Sequence, residues 1–441
     1  MTYNSWIGLG GFAFMMVMIG LNVPIGVAMG VAGFAGLVVL AGMDSALNTV
    51  GIVASGQFVS YSLSVVPLFV LMGVAASQSG MSRGLFRLAN AGLGHRKGGL
   101  AMASIGASAM FSAVCGSSLA TAATMAKVAM PEMRSHGYDD RLGTGAIAAG
   151  GSLGILIPPS VILIVYSLIT ETPLFDLFAA AILPGLIAVV GYIAVIAVLV
   201  WFRPELGPAS PWAGWGALGR AARHAIPVIA LFVIVLGGIY GGVFTPTEAA
   251  AIGAMGAIGY MISQVGFDID ILREVAAETI TTTAMIFIII IGAGVLSFFL
   301  SFSGLPRVFA GAVAGLDMSP YVILVAIMLC YLVLGCFMES LGIITLTVPV
   351  LFPLIKALAP ELGMTANEAA VWFGIFVVVA VEIGMVTPPL GLNVFVIKGT
   401  VPNVDLSTIF RGVIPFWIFD IFRLALLAFV PAVSLLLPRL M

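Results

Sequence analysis

Charge is what this 441-residue chain has least of. Charged residues make up 8%, with 17 basic and 19 acidic side chains, against roughly 25% in a soluble domain. So few charges cannot coat a water-facing surface when 61% of the chain is hydrophobic and mean hydropathy is +1.20. A set of soluble domains is excluded, and the solvent must be the lipid bilayer. The net charge of −2 offers no basic patch, so no nucleic-acid partner is expected. Cysteine is also scarce. Cys115, Cys330 and Cys336 are odd in number and lie in apolar surroundings, which argues against a disulfide framework. The three histidines, His95, His136 and His224, fall in polar, basic loops, and no His/Cys/carboxylate group has metal-ligand spacing. There is no phosphate-binding G-x-x-x-x-G-K-[ST] loop and no G-x-S-x-G elbow with triad partners. An enzyme or an ATP-driven motor is therefore not the reading, and no cofactor is expected. The first residues lack a basic n-region and a cleavage site, and read as the first span.

Glycine and proline, at 53 and 23, are plentiful and suit close-packed, interrupted transmembrane helices. Residues 5–42 carry no charge and divide at Pro24 into two spans. A surface helix over 45–62 follows, then spans near 64–80, 142–168, 177–202, 225–243 and 246–265. A second surface helix covers 268–282, with spans at 284–303, 369–397 and 412–437. Placing the N-terminus on the periplasmic side puts 12 of 17 basic residues inside, as the positive-inside rule requires.

Two stretches, 98–133 and 320–355, have polar centres at Cys115-Gly116-Ser117-Ser118 and Met338-Glu339-Ser340. The legs of the first are short for a ~30 Å core. They read as re-entrant hairpins, or as pairs of short complete spans that return the chain to the same side. Matches spaced about 222–230 residues apart run in order along the chain. Ser79-Gly80 pairs with Ser303-Gly304, Pro131 with Pro353, and Gly154-x-x-x-Pro158-Pro159 with Gly384-x-x-x-Pro388-Pro389. The expected fold is an all-α membrane protein of about ten to eleven spans plus two hairpins. Its repeats would be 1–224 and 225–441, each with five crossings and therefore opposite in orientation.

Chemistry concentrates at the breaks. Each proline lacks an N–H and bars its predecessor from the α region, so a diproline inside a span unwinds it. Unwinding frees carbonyls for a hard cation such as Na⁺. It also leaves a half-helix N-terminus that favours an anion. The tips add Ser117, Ser118 and the close approach allowed by Gly116, with Glu339, Ser340 and Gly342 opposite, and Thr387 and Asn393 at the second break. Glu382 stands just before that break. Glu248 reads as a helix cap, and Asp420 and Arg423 as a pair on one helical turn.

The two diproline motifs, with Phe244-Thr-Pro-Thr-Glu248-Ala-Ala, resemble the large membrane subunit of tripartite ATP-independent periplasmic (TRAP) transporters over essentially the whole chain. The resemblance implies an elevator, coupled to Na⁺, that takes up an organic acid across a bacterial or archaeal inner membrane. It implies a small four-helix membrane subunit, expected as a separate chain, and a periplasmic substrate-binding protein. It places one sodium site at Ser112, Cys115, Gly154, Ile157 and Pro159, and a second at Gly342, Gly384, Thr387 and Leu390. Substrate is implied between them, at Gly116, Ser117, Ser118, Pro158, Ser160, Glu339, Ser340, Pro388 and Asn393. A stand-alone Na⁺- or H⁺-coupled dicarboxylate or anion carrier of the same inverted-repeat plan is the alternative.

Overall fold

The computed structural model describes residues 3–212, 214–314 and 318–441, and these form helices joined by short turns, with no strand among them. The first half contains α1 (Tyr3–Gly20), α2 (Ile25–Ala41), α3 (Met43–Val59), α4 (Val65–Gln78), α5 (Met81–Leu93), α6 (Gly99–Cys115), α7 (Ser118–Ser135), α8 (Asp140–Leu156), α9 (Val161–Thr170) and α10 (Leu174–Phe202). The second contains α11 (Trp215–Tyr240), α12 (Pro246–Val265), α13 (Ile269–Ser303), α14 (Leu305–Ala314), α15 (Pro320–Phe337), α16 (Ser340–Leu358), α17 (Ala366–Gly384), α18 (Leu392–Thr400), α19 (Leu406–Phe429) and α20 (Ala432–Leu440). The order of elements recurs, with α13 standing where α3 and α4 stand in the first half.

Nine helices among the described residues are long and apolar enough to cross a membrane, or ten if the α4–α5 pair, bent by 66°, counts as one. This is a multi-pass helical membrane protein. A count of nine or ten reaches only the lower end of the expected ten to eleven, and α2, with 17 residues, is among the shorter apolar helices left out of it. α15 and α16 also pass the same test of length and composition, so each leg of that stretch is long enough to span.

The expected surface helix at 268–282 is not a separate element. It is the start of α13, a single 35-residue helix, about 52 Å long at 1.5 Å per residue. No proline or glycine interrupts Thr281–Ala284, so the helix continues. The first half is interrupted between Val59 and Val65, and Pro67, in the first turn of α4, offers no N–H to the Leu63 carbonyl four residues back. The 45–62 expectation corresponds to α3, which exposes Leu47, Ile52 and Phe58.

Local structure repeats where the sequence does. Ser79 and Ser303 each donate to the carbonyl three residues back at 2.7 Å. Each also accepts from the amide two residues on, at 3.3 and 3.2 Å. Gly80 and Gly304 follow with φ of +73° and +70°, a region glycine enters without steric cost. Packing is reciprocal between halves. α2 packs on α13 and α12 on α4, and α7 packs on α18 and α16 on α9. A Cβ on Gly26 or Gly33 would stand 2.8 or 2.7 Å from the backbone of α13. These glycines permit the close helix approach typical of membrane interiors.

α17 lies at the centre, with every residue from Ala369 to Gly384 buried. Its Glu382 accepts from Arg423 of α19 at 3.0 Å, and Arg423 also pairs with Asp420 at 3.0 Å. Tyr192 of α10 donates its hydroxyl to Asp420, with oxygen separations of 2.9 and 2.8 Å. The pairing expected for Asp420 and Arg423 is present, and Glu382 joins it. Three helices are thereby tied by two carboxylates and one guanidinium, all fully buried. The cap expected of Glu248 is also present, as a reciprocal box with Thr245.

Removing one partner of a buried charge cluster strands the others, at a cost of about 3–5 kcal/mol. Arg423→Ala should therefore markedly lower the thermal unfolding midpoint of the detergent-solubilised chain, whereas Arg273→Ala, at an exposed pair, should leave it nearly unchanged. Calorimetry or dye-monitored unfolding reads the difference.

Candidate functional site

The first hairpin turns at Gly116, where φ is +63°. Ser117 caps α7 by accepting from Ala120 N at 3.4 Å. The tip meets the first break directly. A Cβ on Gly154 would lie 2.5 Å from the Ser117 carbonyl oxygen, and one on Gly116 would lie 3.0 Å from that of Pro159. α8 ends at Leu156, Pro158–Pro159 follows with a cis bond, and α9 restarts at Val161. Ser160 caps α9, accepting from Leu163 N at 3.3 Å and donating to the Ile155 carbonyl.

The second hairpin meets the second break in the same manner. A Cβ on Gly335 would lie 2.6 Å from Gly384 Cα. α17 ends at Gly384, Pro388–Pro389 is again cis, and α18 starts at Leu392. The Cys336 thiol lies 3.4 Å from the Pro388 carbonyl. The first tip is then joined to the restarted helix α18 of the second half. Ser118 Oγ donates to Asn393 Oδ1 at 3.0 Å and lies 2.9 Å from Asn393 Nδ2.

Between the tips lies an open cavity of about 150 Å³. Of the residues expected from sequence, Cys115, Gly116, Ser117, Ser118, Glu339 and Ser340 line it. Asn393 stands behind Ser118. Thr387 is held away from it: its hydroxyl donates to the Ile383 carbonyl and accepts from Trp417 Nε1 at 2.8 Å. Ser160 is engaged in its cap. Ile157 and Pro158 face a separate apolar crevice. Gly342 packs against Ile25, and Leu390 is partly exposed. Ser112 is buried with no hydrogen-bond partner for its hydroxyl.

The cavity also takes residues that sequence reasoning passed over: Ser77 of α4, and Glu278 and Thr282 of α13. The signal was the run Glu278-Thr279-Ile280-Thr281-Thr282-Thr283, which was read as the polar face of a surface helix. No group of three or more His, Cys, Asp or Glu side chains that could hold a metal occurs among the described residues.

Polar tips buried at helix breaks, inside a bundle of apolar spans, define a membrane permease. Residues 12–433 match the family described as tripartite ATP-independent periplasmic transporter, DctM component. The chain belongs to that family, and is a permease component rather than an enzyme. It is 36% identical over 380 residues to the C4-dicarboxylate TRAP transporter large permease protein DctM of Pseudomonas aeruginosa, covering 86% of each chain. It is 32% identical to the sialic acid TRAP transporter large permease protein SiaM of Vibrio cholerae, over 87% of this chain and 88% of that one. Among solved structures, the YdaH transporter of Alcanivorax borkumensis aligns with a TM-score of 0.61 over 88% of both chains at 15% identity, a likeness of fold.

The Ser118–Asn393 bond ties elements 275 residues apart. A double-mutant cycle of Ser118→Ala and Asn393→Ala on unfolding free energy should return a coupling of about 1 kcal/mol. A coupling near zero would mean that the tips are held by packing alone.

Proposed function

We propose that this chain is the Na⁺-coupled large permease subunit of an importer for an organic acid, working by an elevator movement in the inner membrane. One observation carries the reading: both hairpin tips converge on a single small cavity, and each hairpin abuts the diproline break of its own half, the first through its tip and the second through the last turn of α15. A site between repeats, built on interrupted helices, is the arrangement of secondary transporters. The reciprocal packing of the halves supports an inverted repeat. In this reading the hairpins and broken helices move together, past a frame that includes the α2–α13 and α4–α12 pairs. The N-terminus lies on the periplasmic side.

The coupling ion is proposed to be Na⁺. Opened backbone at the breaks supplies carbonyl oxygens, and Ser112 supplies a buried hydroxyl without a partner. An unsatisfied buried oxygen calls for an explanation, and an ion is one. The proposed first sodium site therefore keeps Ser112, Cys115, Gly154, Ile157 and Pro159. The second rests on backbone oxygens near Gly342, Gly384, Thr387 and Leu390, because the Thr387 hydroxyl is already engaged on both sides.

The relatives named for C4-dicarboxylate and sialic acid share a carboxylate cargo, so an organic acid is the proposed substrate. Its carboxylate would meet Gly116–Ser118 and Ser340, and Glu339 would favour a bound cation beside it. A small four-helix membrane subunit and a periplasmic substrate-binding protein are the proposed partners, as the family's tripartite description suggests.

The test is uptake into proteoliposomes carrying this chain with the small subunit, supplied with a cognate binding protein and a panel of organic acids. Uptake should require both an inward Na⁺ gradient and the binding protein. Equal uptake with K⁺ would end the coupling proposal, and equal uptake without the binding protein would favour a stand-alone carrier. Gly116→Val should abolish uptake at unchanged protein level, since its side chain would meet the Pro159 carbonyl at a left-handed φ.

A further inference from the structure

All three histidines of the chain meet at one place, far in sequence from each other and outside the cavity between the tips. His95 precedes α6, His136 follows α7, and His224, expected in a loop, lies on α11. They line a cavity of about 470 Å³ together with Arg87 of α5 and Arg220 of α11. Among the described residues no carboxylate lines it. Asp140 pairs with Arg134 at 2.9 Å, and Asp139 accepts from Arg141 N at 2.7 Å, while Glu132 on α7 and Glu205 in the linker are near in sequence but outside the lining.

The cavity is built, not a gap between loose loops. Gly98 N donates to Gly207 O at 2.8 Å, Ser210 N to Gly94 O at 3.1 Å, and Asp139 N to Leu206 O at 3.0 Å. These bonds hold residues 203–212 over both loops, and Trp212 packs edge-on against His95 with ring centres 4.9 Å apart. Ser210, on the lining, has a buried hydroxyl with no partner. The imidazoles are oriented as well. Nδ1 of His136 lies 2.9 Å from the Glu132 carbonyl, and Nδ1 of His224 lies 2.8 Å from that of Arg220. A carbonyl only accepts, so Nδ1 carries the hydrogen in each ring and Nε2 is left as an acceptor for a hydroxyl of a ligand.

We propose that this cavity binds a phosphate-bearing anion, gripped by Arg87 and Arg220 and completed by Ser210, with the histidine Nε2 atoms accepting from its hydroxyls. Guanidinium groups match phosphate oxygens in pairs, and the volume suits a head group or a small phosphate ester. Arg96 and Lys97 lie in the adjoining loop, and Arg83, Arg134, Arg141 and Arg223 lie on α5, α7, α8 and α11. Basic pockets between membrane helices on a positively charged face are where anionic lipid head groups settle. A bound phosphate would tie α11 to the base of the first hairpin.

The purified full-length chain would be placed in nanodiscs of phosphatidylcholine with or without phosphatidylglycerol, and separately titrated with inorganic phosphate and glycerol phosphate. Phosphatidylglycerol retained in native mass spectra identifies a lipid head group. Saturable binding of the free phosphates without lipid retention identifies a soluble ester. In either case Arg87→Gln with Arg220→Gln should weaken binding by tenfold or more, with the chromatographic profile unchanged. Should the double variant not fold, Arg220→Gln alone should show a roughly tenfold loss. No selective binding by wild type, or equal binding by a folded variant, would overturn the proposal.

Discussion

A helix opened inside a bilayer must be closed over by protein, because hydrocarbon offers no partner for a freed N–H or C=O. The rest of this architecture follows from that constraint. The chain opens its backbone at Pro158–Pro159 and Pro388–Pro389, and it covers each opening with the tip of a helical hairpin. Covering demands close approach, and glycine permits it. Gly154 admits the Ser117 backbone, Gly335 and Gly384 admit each other, and Gly116 admits the Pro159 carbonyl. Side chains at any of these points would lift the tip and leave polar backbone facing lipid.

The same economy governs charge. With so few ionisable residues in the chain, three of them are fully buried around Tyr192. Two carboxylates share one guanidinium, linking α17, α19 and α10. Glu382 stands two residues before Gly384, so the cluster anchors the rigid side of the second break. A cluster of this kind adds little net stability relative to an apolar core, yet losing one member is costly. Its effect is therefore to fix which helices neighbour α17.

The cavity between the tips belongs to neither half. Its walls come from α4, α6, α7, α8 and α9 of the first half and from α13, α16 and Met385 at the second break. The Ser118–Asn393 bond carries the first tip onto the second half's restarted helix, and the reciprocal packing of α7 on α18 and α16 on α9 extends that exchange. Elsewhere the halves differ. α13 is one continuous helix where the first half has α3 and α4 divided by a break, so the two halves are alike in order but not in detail. The basic cavity gathers the three histidines with Arg87 and Arg220, where the linker between halves crosses the hairpin base.

Sequence alone determined the solvent, the helical class, the two breaks and the two tips, because each has a local cause. Hydropathy selects lipid, diproline bars helix, and glycine with serine marks a turn and a cap. The family resemblance was legible for the same reason, since the motifs are short and contiguous. Only the tertiary structure decided which residues share a cavity. Glu278, Thr282 and Ser77 read as surface or filler in sequence, and become lining because α13 and α4 pass beside the tips. Thr387 read as a ligand, and is turned aside by Trp417, thirty residues on. The meeting of three distant histidines had no local sign at all. Such pairings depend on how buried helices pack across the halves, and packing is a property of the whole fold rather than of any window of sequence.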